Sequence, residues 1–172
     1  AINITSEQYD EIAEFTVDLT KKDTTQLMKY KTIFNWITSN IKYEYNDNDP
    51  YAVFKNRKAI CQGYSNLLTV MCYSQGIPTM VVNGFLIDPN YGEMGHAWAY
   101  TCPDSTWTVS DPTNKGTFTM KKYGNYGHLS PVTADVNIFS DDIAIYNYYD
   151  RLLNIKEVRT NSAAFIVPYS VN

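Results

Sequence analysis

The hydrophobic period of the chain changes at the stretch "SQGIPTMVVNGF". Before Gly76 apolar residues recur every three or four positions, and after Pro78 they run together in short bursts separated by turns. Glycine just past a helix end, with proline soon after it, stops a helix and prevents its continuation. A chain that spends its first part on helices and then turns to short strands is expected to form an α+β domain with an antiparallel meander.

The helices can be located from their start signals. Thr5 and Gln8 have capping-box spacing, and Ile12, Phe15 and Leu19 follow at helical intervals. Leu27, Tyr30, Phe34, Ile37 and Ile41 form one apolar stripe, with Trp36 off it and expected to face a neighbouring element. Asp49 before Pro50 opens a short helix. A longer helix starts at Cys61 and puts Tyr64, Leu67, Leu68, Met71 and Cys72 on one face.

Beyond Pro78, "TMVVNGFLI" reads as a strand, "DPNYGEMG" as a loop, "HAWAYTC" as a strand opened by His96, "PDST" as a turn and "WTVSDP" as a strand. "KKYGNYGHLSP" reads as a loop that leaves His128 at the surface. Ser140 could cap a helix carrying Ile143, Tyr146 and Leu153, and "IKEVRT" and "AAFIVPY" could return as strands. The 172 residues are expected to form a single domain.

Composition removes several classes of function. The net charge of -4 comes without a basic stripe, so nucleic acid is not an expected partner, and no apolar run approaches the length of a membrane span. Three cysteines (Cys61, Cys72, Cys102) cannot all pair within one chain, and none stands at Cys-x-x-Cys spacing. At least one thiol therefore stays free.

Cys61 is the thiol with a chemical setting. At a helix start it meets the positive end of the helix dipole and backbone N–H groups that have no partner within the helix. Such a thiol can be a nucleophile if a base lies within reach and a third group orients that base. Two strands joined by a tight turn are antiparallel, so the start of one lies beside the end of the next. His96 before the turn and Asp111 after it are thereby brought to one end of a hairpin. The alternative for Cys61 is a small buried hydrophobe, and for Asp111 the start of a turn before Pro112.

Together "RKAICQGYSNLL", "GIPTMVVNGF", "GHAWAY" and "WTVSDPT" resemble the transglutaminase-like superfamily of papain-type cysteine enzymes, in the form of a small bacterial-type domain. The likeness spans about residues 27–113 and leaves 114–172 as an extension. It implies a papain-like core: N-terminal helices, and a central cysteine-bearing helix packed on an antiparallel sheet. Cys61, His96 and Asp111 match the family's catalytic positions in order and spacing. Two departures are Ala59, where a glycine is usual, and Asn114 after Thr113, where a tryptophan often follows the threonine. The family's upstream tryptophan has no matching donor, since Trp36 lies on a helix. Tyr43 or Tyr45 is expected to supply the oxyanion O–H beside the Cys61 N–H.

The resemblance implies acyl transfer from protein or peptide carboxamides through a thioester. Glutamine–amine crosslinking comes first, with protease, amidase or deamidase action, or a silent peptide- or cell-wall-binding module, as alternatives. Gln62, Tyr91 and Trp98 are the expected groove residues, beside the loops "YEYNDNDPY" and "DPNYGEMG". The mechanism needs no metal or cofactor. A secreted or cell-surface location is the one the resemblance favours.

Overall fold

The computed structural model describes residues 2, 4–88, 92–105, 108–114, 116–119 and 128–135. Helix α1 (Ser6–Leu19) begins at Thr5, where the capping box forms in both directions. Helix α2 (Gln26–Asn40) is capped by Thr25, and α3 (Pro50–Asn56) by Asp49 with proline in its first turn. Between them, β1 (Lys42–Tyr43) pairs in parallel with β2 (Lys58–Ala59), which leads directly into α4 (Cys61–Ser74). Gly76 then takes a φ of 72°, a left-handed conformation that glycine enters without steric cost.

The second half is a five-stranded sheet in the order β6–β5–β4–β3–β7. Its strands are β3 (Thr79–Asp88), β4 (Gly92–Thr101), β5 (Thr108–Asp111), β6 (Gly116–Thr119) and β7 (His128–Asp135). The pairs β3–β4, β4–β5, β5–β6 and β3–β7 are all antiparallel. Helix α4 is sandwiched between the sheet and the other helices, so Gly63 through Cys72 are all buried. Val70 is therefore as deeply enclosed as Leu67, and the enclosed Ser65 and Thr69 hydroxyls are satisfied by donating to the Cys61 and Ser65 carbonyls one turn back. The core joins Ile12, Ile33, Ile37, Leu67, Leu68 and Met71 to Val81 and Ala99 of the sheet.

Three expectations are corrected. Strand β4 starts at Gly92 rather than at His96, because the β3–β4 ladder continues to Asp88↔Gly92. His128 is not in a loop: it begins β7, opposite Ile87, and backbone pairing with β3 makes the strand that its local sequence did not. Leu27 is 42% exposed, since the first turn of α2 projects past the core, where the Asp104 carboxylate accepts its N–H at 3.0 Å. Ile33 takes the core place instead. Gly116–Thr119 form a strand that was not anticipated. The elements expected around Ser140, Ile143, Tyr146 and Leu153 and in the two terminal segments lie outside the described residues.

Candidate active site

Helix α4 is the one whose entry is left bare. Its N-cap residue is Ile60, which makes no side-chain capping bond, whereas Thr5, Thr25 and Asp49 cap the other three helices. The first amides of α4 therefore remain for another acceptor. The Cys61 sulfur uses one of them, the Gln62 N–H.

Two contacts fix where that helix start lies. Glu44 donates its N–H to the Ala59 carbonyl at 3.1 Å, tying the segment after β1 to the approach to Cys61. On the other side Gly63 brings the first turn hard against α3 and β2. A Cβ at Gly63 would lie 2.9 Å from Val53 Cγ2 and 3.0 Å from Ala59 Cβ. Such distances require the neighbours to move, so the position needs glycine for close approach rather than for an unusual φ.

The imidazole beside Cys61 comes from the sheet. The β4–β5 ladder runs from Thr101↔Thr108 to Ala99↔Ser110. Where it stops, His96 of β4 and Asp111 of β5 meet, with Nε2 2.8 Å from Oδ2. The Asp111 side chain is fully buried and that of His96 is 8% exposed, so little water competes for this bond. The second ring nitrogen is left for the Cys61 thiol, which hydrogen-bonds the imidazole. The Ala97 N–H also points at the sulfur.

Asp111 is positioned from behind. The Ser110 hydroxyl pairs with the Tyr30 hydroxyl of α2 and lies 3.0 Å from Thr101 Oγ1, all three groups being buried. This chain pins β5 to both α2 and β4 one residue before the carboxylate. On the face carrying His96, the Trp98 ring stacks at 5.9 Å and 23° to the imidazole. Trp98 is 1% exposed, so it supports the histidine and does not line an open groove.

The electrostatics separate the three thiols, all of which are free. Burial opposes a Cys61 thiolate, but the His96 imidazole and the Ala97 and Gln62 amides outweigh it and hold the thiol below its ordinary value. Burial likewise opposes charge on His96. The Asp111 carboxylate and Cys61 overcome it and raise the imidazole to about 9. Burial alone pushes Cys102 up to about 11, and Cys72 up to about 12 against a small opposing bond from Thr79. Among the described residues no cluster of three or more His, Cys, Asp or Glu side chains is arranged to hold a metal ion.

The remaining expected residues divide. Tyr43 stacks on Tyr64 of the first turns of α4 at 6.4 Å and 18°, which brings its ring to the cysteine end of the helix. Tyr45 is 85% exposed. The Gln62 side chain turns along α4 and donates to Asn66 Oδ1 at 2.9 Å, while Asn66 Nδ2 donates to the Asn48 carbonyl at 2.9 Å. Gln62 thus helps fasten the "YNDND" loop beside the site. Tyr91 lies outside the described residues. Gly63 and the Tyr30–Ser110 pair escaped the sequence reading. The glycine of "CQG" was a visible signal, but the pair, 80 positions apart, had none.

A cysteine at the start of a buried helix, set against a histidine–aspartate pair on an antiparallel sheet, defines the papain-like class of α+β folds. The chain belongs to the transglutaminase-like superfamily, whose family model matches residues 13–112.

Kyphoscoliosis peptidase of Homo sapiens is 28% identical over 115 residues, covering 58% of this chain and 17% of the relative. The Mus musculus protein of the same name is 27% identical over 135 residues, covering 64% of this chain and 20% of the relative. The chain thus spans about a fifth of these curated relatives.

Among solved structures, EGTA-treated Legionella pneumophila LapG superposes with a TM-score of 0.56 at 12% identity, over 90% of this chain and 98% of that one. A candidate cysteine protease of Cytophaga hutchinsonii gives 0.55 at 17% identity, over 74% of this chain and 50% of its own. At these identities the likeness is one of fold. Among the described residues no helix is long and apolar enough to cross a membrane.

Proposed function

We propose that the chain is a thiol acyl-transfer enzyme that acts on protein or peptide carboxamides, with Cys61 as nucleophile. The observation that carries this reading is the Cys61 thiol at an uncapped helix start, bonded to an imidazole that a buried carboxylate holds at 2.8 Å.

In the first half-reaction the Cys61 thiolate attacks the carbonyl carbon, and the oxygen takes the negative charge. The Cys61 N–H and the Tyr43 hydroxyl are the proposed donors to that oxyanion. The C–N bond then breaks as protonated His96 gives its proton to the departing nitrogen, leaving a thioester. In the second half-reaction neutral His96 takes a proton from the incoming acceptor, which attacks the thioester. The C–S bond breaks and the thiolate returns. Asp111 keeps Nε2–H engaged, so the ring presents its other nitrogen to sulfur and substrate.

The acceptor decides the outcome. A lysine amine would give glutamine–amine crosslinking, and water would give peptidase, amidase or deamidase action. The names of the human and mouse relatives favour water, and the family's name keeps the amine as the second reading. The intact Cys61–His96–Asp111 set speaks against a silent binding module.

Incubation with a glutamine-bearing protein and a labelled primary amine tests this directly. Amine incorporation, ammonia release and new N-termini are measured in parallel, with Cys61→Ala as control. At least one of the three signals is expected, and it should vanish in the control. Absence of all three over a broad panel of proteins, or a signal that survives Cys61→Ala, contradicts the proposal.

A further inference from the structure

Strand β4 lies inside the sheet for only part of its length. On one side β3 pairs with it from Thr101 to Gly92, while among the described residues the β5 ladder stops at Ala99. Among the described residues, the half of β4 that leads up to His96 therefore has one edge without a ladder. Gly92, Glu93, Met94 and Gly95 are all exposed. A Cβ built on Gly95 meets no atom within 4 Å, so the space beside it is open.

The direction of the free backbone groups follows from parity. In an antiparallel pair alternate residues bond to the partner strand and the others turn their N–H and C=O away. Just past β4, Cys102 donates its N–H to the Pro78 carbonyl at 2.8 Å, which continues the β3–β4 register. Even-numbered residues of β4 thus bond to β3, and odd-numbered ones point to the other edge. The Ala97 N–H that reaches the Cys61 sulfur obeys this rule. Gly95 and Glu93 are the next two along the same edge, so their N–H and C=O groups point away from β3, and among the described residues no strand pairs with them there.

Side chains flank the edge on both faces. Phe85, opposite Gly95 in the register, is 39% exposed, and Met94 is 40% exposed. Paired residues share a face of a sheet, so a residue docked opposite Gly95 would project beside Phe85 across the notch that glycine leaves.

We propose that this edge is the substrate-docking element: an extended peptide adds to β4 as a strand, exchanging backbone hydrogen bonds with Gly95. Its occupant is a peptide segment with a large apolar side chain opposite Gly95, because the edge offers backbone pairing between two exposed apolar side chains. Continuity with the site sets the register. Gly95 and Ala97 are two residues apart, about 7 Å along a strand, so a peptide paired at Gly95 delivers its next carbonyls to the sulfur. This inference rests on the acyl-transfer reading, since it takes Cys61 as the reacting atom.

The test compares alkylation rates of Cys61 by two reagents in the same protein. One is acetyl-Ala-Leu-Ala-Ala chloromethyl ketone, with Leu two residues from the electrophilic residue, and the other is iodoacetamide, which has no peptide. Gly95→Pro removes the outward N–H and fixes the local φ, a change that edge strands accept, and N-methylation of the peptide supplies the same loss from the other partner. The peptide-to-iodoacetamide ratio is expected to fall about tenfold in Gly95→Pro, and also in the wild type when the peptide amide opposite Gly95 is N-methylated. Replacing Leu by Ser should lower the ratio in the wild type and leave it unchanged in Phe85→Ala. A ratio insensitive to both Gly95→Pro and N-methylation overturns the docking proposal even if Cys61 reacts fast. Slow iodoacetamide labelling of Cys61 in the wild type contradicts the acyl-transfer reading itself.

Discussion

Cys61 and Cys72 lie on the same helix, eleven residues apart, and live in opposite worlds. Cys61 occupies the first turn, where amides without helical partners and the His96 ring face its sulfur. Cys72 is fully buried in the apolar middle of the domain, and its thiol is pushed up to about 12. The side chains are chemically identical. What separates them is whether several hydrogen bonds and a positive charge outweigh burial, as at Cys61, or burial outweighs a single hydrogen bond from Thr79, as at Cys72. The helix serves both ends, since burial of its middle holds its first turn against the sheet.

The largest expected effect breaks the comparison at its reactive end. Cys61→Ala should abolish turnover, whereas Cys72→Ala should leave it intact and lower stability by about 1–2 kcal/mol through a small cavity, measurable by denaturant unfolding. Asp111→Asn comes next. It should reduce turnover by about 10²–10⁴-fold, because the ring loses the partner that fixes its tautomer. If Asp111→Asn left turnover unchanged, the pair would be structural only.

Gly63→Ala tests the packing that seats the turn carrying Cys61. A methyl group there runs into Val53 and Ala59 and should cost about 1–3 kcal/mol in thermal or denaturant unfolding. Its alkylation rate at Cys61 should fall as well, since the sulfur moves with the turn.

The pH dependence carries a definite sign. The paired thiolate and imidazolium exist between the lowered Cys61 value and the raised His96 value of about 9. Turnover should therefore be maintained around neutrality and be lost as pH rises through about 9. For stability, His96 has a folded value above its ordinary 6.5, so its contribution is complete below 6.5 and is lost as pH rises through about 9. The smallest effect lies far from the site: Thr5→Ala removes the capping box of α1 and should cost about 1 kcal/mol without changing turnover.

Local chemistry made much of this legible in the sequence. Thr5 with Gln8, Asp49 with Pro50, and Gly76 each act within a few residues, and each marks the helix boundary it was read to mark. The meeting of His96 and Asp111 followed from strand direction alone. What stayed hidden depends on partners distant in sequence. "GEMG" reads as a loop because glycine disfavours strands, yet pairing with β3 makes it one. His128 is drawn into a strand in the same way. The exposure of Leu27 and the burial of Trp98 are set by where the domain ends and where the sheet is covered, which periodicity does not encode. Ile60 shows the converse case: the bare N-cap was visible in the sequence, but its meaning required the sulfur and imidazole beside it.

The most direct measurement is iodoacetamide labelling of the folded protein at neutral pH, with each cysteine followed separately by peptide mass spectrometry. Cys61 is expected to react at least about a hundredfold faster than Cys72 or Cys102, and to slow when His96 is replaced by Ala. Equal, slow labelling of all three thiols would contradict the central claim that the bare entry of α4 and the His96–Asp111 pair make Cys61 a nucleophile.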